Sequence, residues 1–415
     1  MRIAIIGSGI SGLAAGWYLS RRHEVSLFEK EPRLGGHTNT VMVNNGDNPI
    51  PVDTGFIVHN DRTYPNLVKL LAELGVETQP SDMSFSVSCR QSGFEYSSRG
   101  VNGFFAQRSN LLRRAHYQLL QEILRFNRTA PQLLDQPGAD SATIGDVIDE
   151  GRYHKFFTHR YLFPMASAVW SMSLDSIRSF PASTLLRFFQ NHGMLGINTH
   201  PKWKVIRGGS HKYIPLLTAP FKDRIILDAR ITSVSQRENR VTLKFQDRPA
   251  MDFDQVVFAC HGNEVLPLLE HPTNIERDVL GKFKTSQNIA TLHTDASLLP
   301  HRTSARASWN YNLGLNGHSA AAVTYHMNRL QSLKTDEDYC VTLNGDDAID
   351  PAKVLRKIVY HHPLYNHEAI SSQDRWSEIS GKNRTHYCGA YWFNGFHEDG
   401  LNSALRVARA LDVEC

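Results

Sequence analysis

Three glycines near the start of the chain, Gly7, Gly9 and Gly12, restrict the possible folds more than any other feature. They lie between the apolar run RIAII, typical of a buried parallel strand, and the segment LAAGWYLSRR, which predicts a helix with cations at its C-terminal end. In this G-x-G-x-x-G spacing the first glycine permits a tight turn and the second lets a pyrophosphate approach the backbone. The third lets the helix pack closely on the strand. The segment therefore predicts a Rossmann-like unit that binds a dinucleotide.

A carboxylate at the end of the next predicted strand supports this interpretation. The segment EVSLFEK predicts a strand, and Glu29 lies near its end, 17 residues after Gly12. A carboxylate at this place can accept hydrogen bonds from an adenosine ribose, and it disfavours a 2′-phosphate. Glycine spacing alone is a weak signal, but strand, turn, helix, strand and acid in this order indicate a nucleotide site. The pattern does not separate NAD from FAD.

Length and composition exclude several other classes of protein. A chain of 415 residues that is 41% hydrophobic can bury a large core and predicts two domains. The formal net charge of +4, without a long basic run, is too small to indicate nucleic-acid binding. Cys89, Cys260, Cys340, Cys388 and Cys415 form no C-x-x-C pair, which disfavours disulfides and zinc and favours the cytoplasm.

Neither a cleaved leader nor a membrane span is expected. Arg2 before an apolar stretch resembles a signal peptide, but cleavage there would remove the glycine motif, so a strand starting at residue 2 is the better interpretation. No apolar run in the sequence is long enough to cross a bilayer.

The segment RLGGHTNT selects between the two dinucleotides. It resembles the double-glycine segment of the superfamily of flavin amine oxidases, protoporphyrinogen oxidases and phytoene desaturases. This resemblance implies FAD, with the backbone of Gly35 and Gly36 against the diphosphate and the ribityl chain, where a side chain would clash. His37 stands where these proteins usually have arginine, a departure that concerns one phosphate or domain-packing contact. An ordinary loop is the alternative for the glycine pair.

Further segments resemble the same superfamily. IPVDTGFIVHN contains Asp53 and matches the segment that returns toward the isoalloxazine ring, and Ile231 matches a position with a backbone contact to adenine. HYCGAYWFNGFHEDGL resembles the last flavin motif, with a strand ending near Gly389 and a helix beginning near Gly400 whose N-terminus would face flavin N1 and the C2 carbonyl. Either acid before Gly400 could face the ring through its backbone; the alternative is a plain helix cap at Asp399. The resemblance implies these FAD-binding residues: Gly7, Gly9, Ser11, Gly12, Glu29, Lys30, Gly35, Gly36, His37, Thr38, Gly55, Phe56, Ile57, Ile231, Gly389, Ala390, Glu398, Asp399 and Leu401.

The chain is thus expected to be an α/β protein with a discontinuous, Rossmann-like FAD-binding domain of parallel sheet and an inserted α+β substrate domain. The FAD-binding domain is predicted to contain residues 1–80, 201–271 and 383–415, and the substrate domain residues 81–200 and 272–382. LGGHTNT, VDTGFIVHN, SWNYNLG, TYHMNRLQSL and YCGAYWFNGFHEDGL resemble one subfamily of amine-oxidase-like proteins, similar to the domain that precedes the synthase in plant cyclopropane fatty acid synthases. This implies a link to acyl-chain chemistry.

The substrate class is less clear from the sequence. Many amine oxidases of the superfamily have a lysine that reaches flavin N5 through water, and in SQNIATLHTD Asn288 stands there, with Lys282 and Lys284 nearby but out of pattern. Phe396 matches one wall of the aromatic amine cage, and no second wall is recognised. Dehydrogenation of a carbon chain needs an apolar tunnel and a base, for which His397 and Glu398 are weak candidates. Packing beside the cofactor is the alternative for His397.

Other segments have simpler interpretations. His361, His362 and His367 in HHPLYNH predict a loop rather than a metal site, because their spacing matches no standard site. Trp170 and Trp309 are expected to pack in a core, although a tunnel wall would look the same. An arginine-rich helix is predicted from Phe104 to Phe126. The simpler interpretation is that its arginines form a solvated face, and the more specific one is that they attach the protein to an anionic membrane. Its arginines are Arg108, Arg113, Arg114 and Arg125.

Taken together, the sequence predicts an FAD oxidoreductase that takes a hydride at flavin N5 and acts on a lipid-like or fatty-acyl substrate. Amine oxidation is the first alternative. An accessory flavoprotein for a methyl- or cyclopropane-transferring partner enzyme is the second. FAD is expected to be noncovalent, with Cys388 beside Gly389 as the one residue that resembles an attachment point.

Overall fold

The structure is a computed structural model. It describes residues 1–414 except 45, 47, 137, 139, 171, 173, 197–200 and 315–321, so Cys415 lies outside the described residues. The strands are β1 (Arg2–Ile6), β2 (Glu24–Phe28), β3 (Thr40–Val43), β4 (Ile50–Asp53), β5 (Val58–Asn60), β6 (Thr78–Pro80), β7 (Phe85–Cys89), β8 (Phe94–Ser97), β9 (Trp203–Ile206), β10 (Ile225–Ile226), β11 (Ile231–Gln236), β12 (Val241–Phe245), β13 (Met251–Phe253), β14 (Gln255–Phe258), β15 (Lys284–His293), β16 (Trp309–Leu313), β17 (Val323–His326), β18 (Cys340–Leu343), β19 (Val354–Leu364) and β20 (Thr385–Tyr387).

The helices alternate with these strands in the first part of the chain and cluster between β8 and β9. They are α1 (Ile10–Leu19), α2 (Pro65–Glu73), α3 (Gly100–Phe104), α4 (Arg114–Leu133), α5 (Ile144–Glu150), α6 (Lys155–Phe157), α7 (Phe163–Trp170), α8 (Leu174–Arg178), α9 (Ala182–Asn191), α10 (Ile214–Thr218), α11 (Gly262–Leu268), α12 (Asn274–Leu280), α13 (Met327–Leu330), α14 (His367–Gln373), α15 (Trp376–Ile379) and α16 (His397–Ala410). Among the helices of the described residues, none has both the length and the apolarity to cross a bilayer.

A five-stranded parallel sheet forms the nucleotide-binding side of the molecule. Its strand order is β10-β2-β1-β14-β20, with Ile5 of β1 opposite Leu27 of β2 and Val257 of β14. The strands are buried because other elements cover the sheet: α1 packs on β1 and β2, and the rings of Phe245 in β12 and Phe253 in β13 contact Phe28 of β2. Helix α1 is almost entirely buried against α16 and the sheet. The predicted Rossmann-like α/β architecture is confirmed.

A mixed seven-stranded sheet forms the second side. Its order is β19-β15-β18-β17-β16-β7-β8, and its pairs are antiparallel except for β16 with β7. Helices α4 to α9 pack beside it in a separate core, which contains Phe126, Phe157 and Leu185. The sheet and these helices therefore build one body that faces the nucleotide-binding side.

The core of the parallel sheet also contains residues from outside the predicted FAD-binding domain. Val279, Leu280, Trp376 and Ile379 lie in the core of the parallel sheet, although the sequence assigns them to the substrate domain. The reason is that α12 and α15 pack on each other and beside β20, and the Trp376 Nε1–H donates to the Tyr387 carbonyl over 2.7 Å. Packing thus places these short helices with the nucleotide-binding side.

Three local predictions differ from the structure. The segment Phe104 to Phe126 is not one helix, because Arg113 has an extended backbone and separates a turn at Arg108–Leu112 from α4. His361 and His362 lie in β19, not in a loop, because β19 pairs with β15 over its whole length.

Helix α16 also begins earlier than predicted. It starts at His397 rather than near Gly400, because the Asp399 carboxylate accepts a hydrogen bond from the Phe396 N–H over 2.9 Å and completes the first turn. The helix N-terminus is therefore displaced by almost one turn toward Phe396.

A buried carboxylate, Asp53, joins the two sides. It accepts hydrogen bonds from the Thr40 hydroxyl (2.5 Å), from the Ser210 N–H (2.9 Å) and hydroxyl (2.8 Å), and from the Gln331 amide (3.0 Å). Gln331 follows α13 on the side of the large mixed sheet, whereas Thr40 and Ser210 belong to the nucleotide-binding side. Burial raises the pKa of Asp53 from its ordinary 3.8 to about 6, and these donors oppose the rise.

This raised pKa predicts a pH dependence of stability. The folded state holds a proton on Asp53 more tightly than the unfolded state, so the contribution is complete below pH 3.8 and is lost as pH rises through about 6. The free energy of unfolding of the wild type, minus that of Asp53→Asn, should fall by roughly 1 kcal/mol between pH 5 and pH 7.5. Urea denaturation of both proteins at several pH values measures it. A difference that does not change with pH would contradict the assignment.

Candidate functional site

One large cavity connects the glycine-rich turn to the helical core. Its volume is about 1880 Å³. The nucleotide-binding side contributes Gly7, Gly9, Ser11, Glu29, Lys30, Gly36, His37, Gly55, Phe56, Ile57, Ile231, Gly389, Ala390 and His397 to its wall. The helical side contributes Phe104, Leu120, Ile123, Leu124, Tyr161, Met165, Ala168, Trp170 and Phe188. A ligand on the glycine turn and a ligand among the helices would therefore share one space.

The three glycines of the first motif have three different environments. Gly7 has a φ of +106°, which a side chain rarely adopts. A Cβ at Gly12 would lie 1.9 Å from the Gly7 carbonyl oxygen, so α1 can pack on the turn only without a side chain. A Cβ at Gly9 would meet no atom within 4 Å and would point into open space beside the cavity. The turn thus leaves room for a ligand at Gly9.

Behind this turn, Glu29 holds the end of the parallel sheet together. Its carboxylate accepts from the Ser8 N–H over 2.8 Å and from the Ser8 hydroxyl over 2.6 Å. Glu29 is buried but lies on the cavity wall, and Lys30 beside it pairs with Glu264 over 2.7 Å. One carboxylate oxygen of Glu29 accepts only from the nearby Glu31 N–H, over 3.0 Å, and so retains capacity for a ribose hydroxyl.

The double glycine packs against the first turn. Gly35 and Gly36 have φ values of +109° and +56°, and a Cβ at Gly36 would lie 3.2 Å from the Gly9 Cα. Gly36 faces the cavity, whereas Gly35 does not line it, because its N–H donates to the Ser8 carbonyl over 3.0 Å. The Gly36 backbone thus packs directly on Gly9, and because both line the cavity an extended diphosphate could lie against both backbones.

His37, which replaces the usual arginine, is enclosed by rings. It stacks on Tyr360 at 4.8 Å and lies 5.2 Å from the His362 ring. Burial, then the neighbouring His362 and His261, lowers the pKa of His37 well below its ordinary value, so the ring is neutral at pH 7. Its buried Nε2 has no partner in the structure and lies beside the cavity, where a polar group of a ligand would satisfy it.

His397, the first residue of α16, is buried in a network of hydroxyl groups. Its ring stacks on Phe56 with centroids 3.6 Å apart, and its Nε2 lies 2.8 Å from the Tyr213 hydroxyl and 3.2 Å from the Thr38 hydroxyl. Burial, with a smaller effect of His59, lowers the pKa of His397 to about 3. A ring with so low a pKa is a poor general base at pH 7 and serves to position its neighbours.

Several predicted cofactor residues do not line the cavity. Thr38 does not, because it faces Tyr213 and His397. The Glu398 carboxylate caps α2 by accepting from the Asn66 and Leu67 N–H groups, both over 2.9 Å, so its proposed role as a catalytic base finds no geometric support. These bonds are local consequences of the fold that residue spacing does not reveal.

Asp399 and Leu401, two further residues of α16, do not line the cavity either. Asp399 caps α16 itself, and burial raises its pKa to about 7 against the hydrogen bond from Phe396. Leu401 lies in the core of the parallel sheet. Of Glu398, Asp399 and Leu401, therefore, only backbone atoms could face a cofactor, as expected for a helix N-terminus.

Aromatic rings form the junction between the two halves of the cavity. Phe396 stacks on Phe188 at 4.8 Å and meets Trp170 edge-on at 6.3 Å, and all three line the wall. Tyr365, which sequence reasoning missed, lines the same cavity, and its buried hydroxyl has no partner in the structure. The aromatic wall predicted at Phe396 therefore has several neighbours. Trp170 and Trp309 both form cavity wall as well as core.

Strand β15 presents no lysine to the cavity. Of its residues only Ala290 lines the wall. The buried Asn288 side chain bonds instead to His362 Nδ1 (2.9 Å) and to the Asn344 amide (2.7 Å). Lys282 pairs with Glu368 on the surface, and Lys284 is exposed. The amine-oxidase lysine thus has no counterpart on this strand.

The residues present fit a bound FAD. The open space at Gly9, the exposed backbone of Gly36, the free acceptor capacity of Glu29 and the unpartnered His37 nitrogen all belong to the wall of one cavity, and each suits a group that FAD carries. Cys388 is buried and does not line the cavity, which supports a noncovalent cofactor. The sequence did not reveal Tyr365 or the His37–Tyr360 stack as parts of the site, because their partners are far away in sequence. For Tyr365 the one available signal was its position directly after the HHPL segment.

Comparison with known proteins gives a consistent result. Residues 10–293, more than half of the chain, match the sequence profile described as flavin containing amine oxidoreductase. Cyclohexylamine oxidase from Brevibacterium oxydans IH-35A is similar in structure, with 14% identity, 99% of both chains covered and a TM-score of 0.67. A fatty acid isomerase from P. acnes that produces CLA has 15% identity, 98% coverage of both chains and a TM-score of 0.70. At such identities the likeness shows the fold alone.

One relative matches in sequence over a short segment. An uncharacterized protein of Methanocaldococcus jannaschii is 61% identical over 36 residues. The match covers 9% of this chain and 9% of that relative, so it adds nothing about the activity.

The different surroundings of Gly12 and Gly9 predict that substitution by alanine lowers stability at the first position and FAD affinity at the second. Gly12→Ala places a Cβ against the Gly7 carbonyl and should lower the free energy of unfolding by about 2 kcal/mol or more. Gly9→Ala meets no protein atom, so the apoprotein should keep its stability while FAD affinity falls at least tenfold. Urea denaturation and a fluorescence titration with FAD measure the two effects. A Gly9→Ala protein that binds FAD like the wild type would show that no phosphate approaches this position.

Proposed function

Because the chain belongs to the family of flavin containing amine oxidoreductases, we propose that this FAD-dependent oxidoreductase dehydrogenates the carbon chain of a lipid-like or fatty-acyl substrate. The observation that carries the proposal is the predominantly apolar wall of the cavity beyond Phe396. There the helices contribute aliphatic and aromatic side chains, among them Leu120, Ile123, Met165 and Phe188, and Asn127 of α4 adds an amide. Such a wall suits a hydrocarbon chain better than a cation, which would need a charged partner.

The polar groups of the wall support the same choice. Asp82 lies on the cavity wall but is paired with Arg329 over 3.2 Å, so its charge is already neutralised. Amine oxidation is weakened further because Lys284, the lysine of β15, does not line the cavity. The fatty acid isomerase among the structural neighbours, and the resemblance to the flavin domain before plant cyclopropane fatty acid synthases, agree with an acyl substrate.

The chemistry divides between cofactor and protein. Bound FAD would supply the two-electron acceptor: it would take a hydride from one substrate carbon, and together with the proton lost from the neighbouring carbon it would account for both hydrogens that leave as the double bond forms. Phe396, Trp170 and Phe188 would hold the chain and exclude water at the place of transfer. The N-terminus of α16 presents positive backbone dipoles to the charge that develops there. His397 holds Tyr213 and Thr38 in place and takes no proton.

Amine oxidation is the second candidate, and one observation favours it. Phe396 and Tyr365 line the same cavity, and two aromatic side chains there could flank a small amine. We also propose a cytoplasmic location, which the free thiols of the four described cysteines support.

Anaerobic titration of the FAD-loaded protein tests the proposal. Saturated and unsaturated acyl chains, free or in phospholipids, are added in one series, and primary amines and polyamines in another. Bleaching of the oxidised-flavin band near about 450 nm by acyl chains, with a product that has lost two hydrogens, is the expected result. Bleaching by amines alone would establish the second candidate. Bleaching only after addition of a lipid-modifying partner enzyme would indicate an accessory flavoprotein.

A paired substitution on α4 tests the location of the chain. Ile123 lines the cavity, whereas Gln121 on the same helix is exposed and does not. Ile123→Trp should fill part of the space and slow flavin reduction by long acyl chains at least tenfold, with less effect on short ones. Gln121→Trp should leave the rates within about twofold. Stopped-flow absorbance at matched FAD content measures both. Equal rates for the two variants would exclude the helical half as the substrate site.

A further inference from the structure

A group of exposed apolar residues, here called the ridge, lies beside the cavity. We define the ridge by Val101, Leu111, Leu112, Tyr117 and Leu124, all of them among the exposed large hydrophobic residues. Leu112 is 92% exposed and Val101 is 78% exposed, which is unusual for side chains of this size. Contiguous apolar side chains on a surface mark a site of interaction.

The ridge has a fixed local structure. His116 Nε2 lies 2.8 Å from the Phe104 carbonyl, and the Phe105 and Tyr117 rings have centroids 5.6 Å apart, so α3 is packed against the first turns of α4. The Tyr117 hydroxyl donates to the Leu111 carbonyl over 2.9 Å and holds the turn before α4. The apolar side chains of the ridge therefore extend from a segment whose backbone is held by these contacts.

The charge around the ridge has a single sign. Residues 96–121 contain no aspartate or glutamate and four arginines, which are Arg99, Arg108, Arg113 and Arg114. All four are exposed, and in the part of the chain that the structure describes none of them forms an ion pair. By contrast Arg125, farther along α4, pairs with Glu122 over 2.7 Å. The four unpaired arginines thus give the ridge a basic rim.

The ridge is continuous with the cavity. Leu124 belongs to both, and Arg99, Gly100 and Leu120, which lie next to ridge residues, line the cavity as well. Phe104 of α3 also contributes to the wall. A hydrocarbon chain that left a surface at the ridge would pass directly along Leu120 and Leu124 into the cavity.

We propose that the ridge docks on the surface of an anionic phospholipid bilayer and lets an acyl chain pass from the bilayer into the cavity. Aliphatic tips with an unpaired arginine rim match an interface that has anionic head groups above an apolar interior. An acidic protein partner would match the arginines but not the two most exposed aliphatic side chains. The passage of a chain rests on the proposed function, whereas the docking does not.

Vesicle flotation of the FAD-loaded protein tests the docking. The vesicles contain either phosphatidylcholine alone or equal parts of phosphatidylcholine and phosphatidylglycerol. The wild type should float with the anionic vesicles and not with the neutral ones. Val101→Ser/Leu112→Ser keeps the net charge and should weaken binding about tenfold. Arg113→Gln/Arg114→Gln keeps the apolar tips and should weaken it by roughly tenfold or more.

Matched controls separate docking from general attraction to a basic protein. Ile275→Ser removes an apolar side chain that is 47% exposed on the nucleotide-binding side, and Arg237→Gln removes an exposed arginine there. Both should bind like the wild type. Failure of the wild type to float, or equal binding by ridge and control variants, would overturn the proposal, and so would a ridge that binds only another protein.

The same samples distinguish this result from the fate of the proposed function. Flotation needs no turnover, and bleaching of the flavin by water-soluble short acyl chains needs no membrane. Docking without bleaching would contradict the proposal of an acyl substrate but support the proposal that the ridge binds a membrane surface. Bleaching without docking would overturn the ridge proposal alone.

Discussion

The contact between the Gly7 carbonyl oxygen and the Cα of Gly12 is the constraint on which the rest of the structure depends. A Cβ at residue 12 would come within 1.9 Å of that oxygen, so α1 can approach the sheet only because no side chain is present. This approach brings the N-terminus of α1 to the carboxyl ends of the parallel strands. It also leaves the open space in front of Gly9 into which the double glycine faces from the other side.

A second constraint is the junction between the two sides of the molecule. Asp53 ties the segment before β5 to Ser210 and to Gln331, while His397 and Phe56 stack at the start of α16. Both contacts are buried, and both lie between the glycine turn and the helical core. The single cavity follows from this arrangement, because the two bodies meet along its walls and leave the space between them continuous.

The sequence predicts the parts of this structure that depend on local pattern. Glycine spacing and strand periodicity place β1, α1 and β2 within about three residues of their observed ends, and the double glycine indicates the cofactor. It does not predict contacts between distant segments. Asn288 turns toward His362 and Asn344, Glu398 reaches α2, and Tyr365 reaches the cavity wall only through tertiary packing. The ridge was visible only as an arginine-rich helix, because the break at Arg113 and the exposure of Leu112 are results of folding.

The proposed function requires a hydrocarbon chain in the helical half of the cavity with one end at the flavin. The most direct measurement is a crystal structure of the FAD-loaded protein with a terminally brominated long-chain fatty acid, located by the anomalous signal of bromine. We expect a bromine position inside the cavity between α4 and α7, near Ile123 and Met165, with the chain running toward Phe396. A bromine signal only on the outer surface of the protein would contradict this location of the chain.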